Sequence, residues 1–350
     1  MKALIGMSGG VDSSVAAYLM MQDGYHCVGA TMRLYTGQDT GCCDESSVDD
    51  ARSVAHRLGI PFCVLDFSDD FRCRVMDHFT RSYESGLTPN PCVECNRHLK
   101  FDKFLESALA LGCDCIVTGH YARICQENGR YLLKKAVDKA KDQTYFLYSL
   151  TQQQLQHARF PLGELTKADA RVIAEEQGFL NAKKRDSQDI CFIPDGDYLA
   201  FLQRYTGKTY APGHYLDQNG KIVGIHKGAV AYTLGQRKSL NLAMGEPVYV
   251  CAKDMEENTV TVGPNEALFR QQLLANDWNW IAIDDLTQPI RALAKARSRM
   301  AEQPATVYPE KDGFARVVFD EPQRALTPGQ AVVLYDGDTV IGGGTITEIL

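Results

Sequence analysis

A short apolar strand, Lys2 to Met7, runs directly into Ser8-Gly9-Gly10-Val11-Asp12-Ser13-Ser14, and an apolar-rich helix, Val11 to Gln22, begins inside that run. A Gly-rich turn between a strand and a helix N-terminus leaves several N–H groups without intrahelical partners and aims the positive end of the helix dipole at whatever lies there. Such a turn suits an anion. Glycines at 9 and 10 let the backbone approach phosphate oxygens, and the hydroxyls of Ser8, Ser13 and Ser14 add donors. Phosphate is the expected ligand; the alternative is a structural turn in which Asp12 only favours the helix start. The run matches neither G-x-x-x-x-G-K-[ST] nor G-x-G-x-x-G, and it lacks the lysine that reaches the terminal phosphates of a P-loop nucleotide.

The cycle of strand and helix then repeats. His26 to Leu34 reads as a strand; Ser46 to Leu58 puts Val48, Ala51, Val54, Ala55 and Leu58 on one helical face, with Gly59 closing it and Pro61 opening the strand PFCVLDF. Asp69 to Tyr83 and Arg97 to Leu111 read as further helices, the second feeding the strand CDCIVTGHY. This alternation predicts an α/β fold with a doubly wound, mostly parallel sheet. TKADARVIAEEQGF is a capped helix, with Thr166 as N-cap, Asp169 completing the box and Gly178 as the stop, in a region that reads as helical to about Gly207. From Gly213 the texture changes to short β-branched runs separated by Gly, Asn, Asp and Pro: KIVGIH, AVAYTLG, PVYVCAK, TVTVG, then longer runs to the end. That spacing predicts two small β-rich modules, with a break near Ala267 to Asp277.

A chain of 350 residues exceeds what one hydrophobic core usually organises, so two or three domains are expected. The N-terminus has no small-residue cleavage site after its apolar start, and no apolar run approaches the roughly 20 residues that span a bilayer, so no signal peptide and no membrane partner are expected. Twelve cysteines without a secretory signal point to a reducing, cytoplasmic setting. Cys27, Cys63, Cys113 and Cys115 lie in or beside apolar strand-like runs and read as small buried hydrophobes. A net charge of −7 gives no hint of nucleic-acid binding, since a domain that coats DNA or RNA is normally basic overall, and no DNA partner is expected; Arg291, Lys295, Arg297 and Arg299 nevertheless form a local basic excess, either a solvated face or a phosphate patch.

The turn SGGVDSS resembles the PP-loop of the ATP-pyrophosphatase superfamily. That resemblance implies ATP with Mg2+ and cleavage between the α- and β-phosphates. It assigns nucleotide contacts to Gly6, Met7, Ser8, Gly9, Gly10, Val11, Asp12 and Ser13, and further along the sheet to Met32 and Gly119.

The nucleophile is a separate question. Asn90-Pro91-Cys92-Val93-Glu94-Cys95-Asn96 is a punctuated loop just before a helix, where a thiol is accessible and a helix N-terminus favours the thiolate. Ser187-Gln188-Asp189-Ile190-Cys191-Phe192-Ile193 places another cysteine in an apolar segment after Lys183-Lys184-Arg185; on packing statistics alone Cys191 is a buried apolar residue. Together with GCCDESSVDDAR, TGHYAR, KDQTYFLY, YTLGQRKSL, KARSR and LTPGQAV, these segments resemble the bacterial tRNA-specific 2-thiouridylase (MnmA) family from end to end.

The resemblance implies a PP-loop domain over 1–200, a small central β-rich domain over 201–270 and a tRNA-contacting C-terminal β-barrel over 271–350. It implies adenylation of the C2 carbonyl oxygen of the wobble uridine and attack by sulfur at that carbon. Cys191 would take a persulfide from a sulfur donor, a cysteine desulfurase or relay protein, and Cys95 would be its partner thiol. Asn90, Pro91 and Cys92 would line the uridine pocket, and His120, Lys141, Asp142 and Gln143 would meet the anticodon region. Arg297, Ser298 and Gln330 would add tRNA contacts from the barrel.

Two departures matter. Family members often carry an aromatic residue where this chain has Ser298, so a stacking surface is missing. Many carry an aspartate where this chain has Cys92; here Cys92, Cys95 and Cys191 supply three thiolates, a set able to hold a [4Fe–4S] cluster with one iron open. Persulfide and cluster routes both stand at this point. For His120 the alternative is a turn histidine bonding its own backbone. Cys42 and Cys43, adjacent in sequence, suit a loop or packing role. Rival readings are another PP-loop enzyme, thiolating a different tRNA position or adenylating for ammonia, and a non-enzymatic tRNA-binding protein.

Overall fold

In the computed structural model, which describes residues 1–35, 45–182, 184 and 190–350, the first strands form one parallel sheet. β1 (Lys2–Gly6), β2 (His26–Arg33), β3 (Phe62–Asp66) and β4 (Cys115–Val117) are joined at the far edge by Ala158–Arg159, in the order β3-β2-β1-β4 and then that edge strand. Parallel strands need helical crossovers, and these come from α1 (Val11–Gln22) and α2 (Glu45–Leu58) on one face and from the helical stretches of residues 68–84 and 91–110 on the other. β1 alternates accordingly. Ala3 and Ile5 face the core beneath α1 and α2, while Leu4 faces the second core, built around Phe71, Phe79, Phe101 and Phe104. Leu4 and Ile5 are fully buried, each worth about 1.5–3 kcal/mol.

The buried face expected for the second helix is present, since Val48, Ala51, Val54 and Ala55 are all buried. The capping box at Thr166 is formed too, with Asp169 N–H donating to Thr166 Oγ1 at 3.2 Å and Thr166 N–H to the Asp169 carboxylate at 3.0 Å. The two helices read from 69 and from 97 each carry a π-helical stretch, Arg72–Met76 and Asn96–Lys103. Helical country does not extend unbroken to 207: after Lys167–Glu176 the described residues run through turns until Tyr198–Thr206.

A hairpin that periodicity does not announce follows the TGHY turn: β5 (Ala122–Glu127) pairs with β6 (Arg130–Lys135). It leaves the first sheet and joins the last one.

The central module is a sheet of four strands, with the parallel pair Gly213–Leu216 and Thr259–Gly263 between Ile222–His226 and Tyr249–Asp254. AVAYTLG is not a strand there; Ala229–Ala231 is a 3-10 turn that puts Ala229, Val230 and Tyr232 into the core.

The C-terminal module is an antiparallel barrel of six strands, Phe269–Trp280, Ile290–Lys295, Gln303–Pro309, Ala315–Arg324, Ala331–Asp336 and Thr339–Ile349, closed by pairing of the first with the last. The expected break at 267–277 falls largely inside its first strand. Asn276 and Asp277 are a bulge, with Asp277 at φ +50° and the register shifting between Asn276 and Asn279, so turn-like residues interrupt the ladder without ending it. The hairpin attaches through Thr339, which pairs with Lys134.

Among the described residues, no helix is long and apolar enough to cross a membrane.

Candidate active site

In an open parallel sheet, ligands settle beyond the carboxyl ends of the strands, where the chain reverses its order of addition. Here that point lies between β1 and β4: the chain moves outward from β1 to β2 and β3, then returns to the other side of β1. The Ser8 to Ser14 turn leaves the end of β1, and Gly119 follows the end of β4. The two touch. A Cβ on Gly119 would stand 2.8 Å from Ser13 N and from the Asp12 carbonyl carbon.

The turn is held from within and without. Ser8 N–H donates to Ser13 Oγ at 3.2 Å, and the hydroxyls of Ser13 and Ser14 each donate to Gly10 O at 3.0 Å. Gly9 has φ +71°, and a Cβ there would stand 2.3 Å from Ser47 O, so glycine is required twice over, by conformation and by space. Gly10 is the N-cap of α1 without a side-chain cap, the arrangement that leaves helix N–H groups to a ligand. Asn181, almost fully buried, donates to Gly9 O and Ser14 Oγ, both at 3.0 Å. Thr31 Oγ1 donates to Met7 O at 2.7 Å, and Met32 lies 3.5 Å from where a Gly6 Cβ would be. The Asp12 carboxylate accepts from Tyr121 Oη at 2.9 Å and from Lys167 Nζ at 2.8 Å through both oxygens.

Asn181, Tyr121, Lys167 and Ser47 were not legible as parts of this site. Each reaches the turn from tens to well over a hundred residues away, and no local pattern marks it.

The cysteine segment begins at Asn90, whose Oδ1 accepts from Cys92 N at 3.2 Å and caps the short helix Pro91–Cys95. Pro91 occupies the first turn, where its missing N–H costs nothing. Cys92 is exposed and Cys95 is buried in the Phe71–Phe104 core. Cys191 sits in a turn closed by Ile193 N–H to Ile190 O at 2.8 Å; it is half-buried against the same core, which Phe192 and Ile193 enter. Both cysteines therefore belong to the apolar cluster that Leu4 and Ala30 also enter. By contrast Cys27, Cys63, Cys113 and Cys115 are core residues whose thiols burial pushes up, Cys27 to about 11. Ser187, Gln188, Asp189, Lys183, Arg185, Cys42 and Cys43 lie outside the described residues.

Among the described residues no three His, Cys, Asp or Glu side chains converge as metal ligands. Cys92 is exposed, Cys95 buried and Cys191 half-buried, so the three do not stand gathered as a ready ligand set in this conformation.

The residues expected at tRNA divide. His120 is buried; its Nδ1 lies 2.8 Å from Thr118 Oγ1, and its ring packs on Phe101 and Phe160. Burial, with Lys100 nearby, keeps it well below the usual histidine pKa, so it is a neutral core ring, bonded to a side chain and not to its own backbone. Asp142 turns inward, accepting from Ala136 N and Thr144 Oγ1, and Gln143 Oε1 accepts from Tyr121 N at 2.9 Å. Lys141 is half-buried on the same segment.

Gln330 Nε2 donates to Thr88 O at 2.7 Å, so the barrel braces the strand of chain that leads into Asn90. Arg297 donates to Leu234 O at 3.1 Å and to Thr327 Oγ1, and its buried Nε has no hydrogen-bond partner. Burial lowers its pKa, Tyr145 opposes that, and Arg324 adds to it; among the described residues no carboxylate compensates it. A desolvated guanidinium without a counter-charge favours an incoming phosphate. Ser298 beside it is half-buried.

A family model described as the tRNA methyl transferase HUP domain matches residues 1–195, one described as the tRNA methyl transferase PRC-barrel domain matches 199–264, and one described as the aminomethyltransferase beta-barrel domain matches 270–346. The chain is similar to the tRNA-specific 2-thiouridylase MnmA of Acetivibrio thermocellus, at 50% identity over 99% of this chain and 99% of that protein. It is 48% identical to the MnmA of Clostridioides difficile, over 100% of this chain and 99% of the relative. With the MnmA of Symbiobacterium thermophilum it shares 50% identity, over 100% of this chain and 93% of the relative.

Proposed function

The chain belongs to the family of tRNA-specific 2-thiouridylases, tRNA sulfurtransferases, and from that premise we propose that it activates the wobble uridine with ATP at the Ser8–Ser14 turn and delivers sulfur through Cys191 and Cys95. The C2 carbonyl oxygen of the uridine attacks the α-phosphorus, the bond to the β-phosphate breaks, and pyrophosphate leaves. Mg2+ accompanies the nucleotide as its counter-ion. The N–H groups at the start of α1 hold the phosphates, and Met32 and Gly119 border the adenosine.

Sulfur arrives as a persulfide on Cys191 from an external donor. Its terminal sulfur attacks C2 and the C2–O bond breaks, with AMP leaving. Cys95 thiolate then attacks the inner sulfur of Cys191; the S–S bond breaks to free the 2-thiouridine, and a Cys95–Cys191 disulfide remains for an external thiol to reduce. In the variant order, Cys95 frees hydrosulfide first and the hydrosulfide attacks. The observation that carries this reading is that Cys95 and Cys191 meet one apolar core on the sheet face lined by Leu4 and Ala30, whose strand β1 ends at the phosphate turn.

Asn90, Pro91 and Cys92, on the capped turn before Cys95, would line the pocket for the flipped base, and Lys141 and Arg297 would take backbone phosphates. Gln330 acts by bracing the 88–90 segment. The two-thiol route is preferred to a cluster because the three cysteines do not gather as ligands.

The test is mass spectrometry of tRNA from a strain lacking the gene and carrying wild type, Cys95→Ser or Cys191→Ser. Wobble 2-thiouridine should vanish in the deletion and return with wild type alone, and each variant should lose at least about a thousandfold in thiolation rate, as removal of a nucleophile does. Thiolation surviving Cys191→Ser would end the two-thiol route. Stoichiometric iron and sulfide on anaerobically reconstituted protein, lost in Cys92→Ala together with activity, would replace it with the cluster.

A further inference from the structure

The Asp12 carboxylate, second residue of α1 and flanking the phosphate turn, is held by two side chains whose backbones are both tied to residues 138–143. Tyr121 bonds Asp12 through its hydroxyl at 2.9 Å, and its main chain exchanges two bonds with Gln143: Tyr121 N–H to Gln143 Oε1 and Gln143 N–H to Tyr121 O, both 2.9 Å. Lys167 grips both oxygens of Asp12 at 2.8 Å, and its own N–H donates to Asp138 Oδ2 at 3.0 Å. Asp138 organises the rest of the segment, accepting from Ala140 N through its side chain and from Lys141 N through its carbonyl, each at 3.1 Å. The Lys167 side chain is 12% exposed and that of Asp12 31%, so the pair is shielded and a change at one end is felt at the other.

We infer that Tyr121 and Lys167 are positioning residues that couple nucleotide in the phosphate turn to tRNA on the 138–143 segment. This rests on the proposed placing of ATP and tRNA. Phosphates entering the turn add negative charge beside Asp12, and Lys167 is drawn between the two anions. Because Lys167 opens its helix and is tied to Asp138, that adjustment is carried to the loop bearing Lys141. A tRNA phosphate ordering Lys141 acts on the same bonds from the other side. Each ligand thereby lowers the ordering cost of the other, which is a coupling free energy and must be reciprocal.

The experiment measures binding of an α,β-methylene ATP analogue with and without saturating unthiolated tRNA, and of tRNA with and without the analogue. Wild type should show the same factor in both directions, about five-fold or more. Tyr121→Phe and Lys167→Met should bring the factor to within about two-fold of one, while Lys167→Arg, keeping the ion pair, should retain most of it. Wild type with a factor of one, or Tyr121→Phe with the wild-type factor, would overturn the relay. Tyr121→Phe removes a single hydroxyl and decides the matter if Lys167→Met does not fold. If tRNA does not bind, or the deletion strain keeps its 2-thiouridine, the functional reading fails and not the relay alone.

Discussion

The Ser8–Ser14 turn and the turn that follows Cys191 each contain a glycine with φ near +70°, Gly9 at +71° and Gly196 at +68°, yet their surroundings are opposite. Around Gly9 the side-chain space and the carbonyl are taken: Ser47 O stands where a Cβ would go, Asn181 bonds its carbonyl, and Ser13 and Ser14 tie down Gly10. Around Gly196 no atom of the described residues lies within 4 Å of a Cβ, and Asp195, Gly196 and Asp197 are exposed. The difference follows from the chemistry. A phosphate site works by donors already in place when charge develops. In the proposed reading Cys191 must meet a donor protein, a substrate carbon and a partner thiol in turn, and its segment is fastened at Phe192 and Ile193 while Pro194 to Asp197 after them are exposed.

The sharpest way to break this contrast is Gly9→Ala, which collides with Ser47 O and strains φ; we expect roughly a hundredfold loss of ATP affinity by calorimetry, from about 2–3 kcal/mol of strain. An affinity within twofold of wild type would show that the turn relaxes freely. Asn181→Ala removes the outer clamp and leaves Gly9 O unpaired, and should weaken ATP about tenfold, the effect of one unsatisfied buried group. Gly196→Ala carries the conformational cost alone, about 1 kcal/mol in global stability by chemical denaturation. Its ATP affinity should match wild type and its thiolation rate should stay within about twofold, given that surface changes of this kind rarely exceed their own backbone cost. A large loss of thiolation in Gly196→Ala would mean that the Cys191 turn is as finely set as the phosphate turn.

What the sequence disclosed was local chemistry. SGGVDSS as a turn opening a helix, the Thr166 cap and the apolar face of α2 are patterns within one or two turns of chain, and each is present. What it hid was remote. Lys167 meets Asp12 across 155 positions and Asn181 meets Gly9 across 172. His120 and Asp142 look like polar surface residues in sequence, but each finds a partner, Thr118 or Thr144, that lets it turn inward. Asp277 looks like a turn residue and is a bulge, because a positive φ serves both. Cys95 and Cys191 are proposed as reactive on the strength of neighbouring segments; the loop position that suggested an accessible thiol at Cys95 misled, because the side chain packs into the apolar core.

The hairpin of β5 and β6 has a consequence for how the molecule is made. Its outer strand finds its neighbour only in Thr339–Ile349, and Arg130 and Lys135 anchor to Ile281, Ile283 and Glu302. On the ribosome those partners emerge about 150 to 200 residues after the hairpin does, so its outer edge stays bare until the last barrel strand is made. Completion of the barrel is therefore also the moment at which the outer strand of this hairpin gains its neighbour.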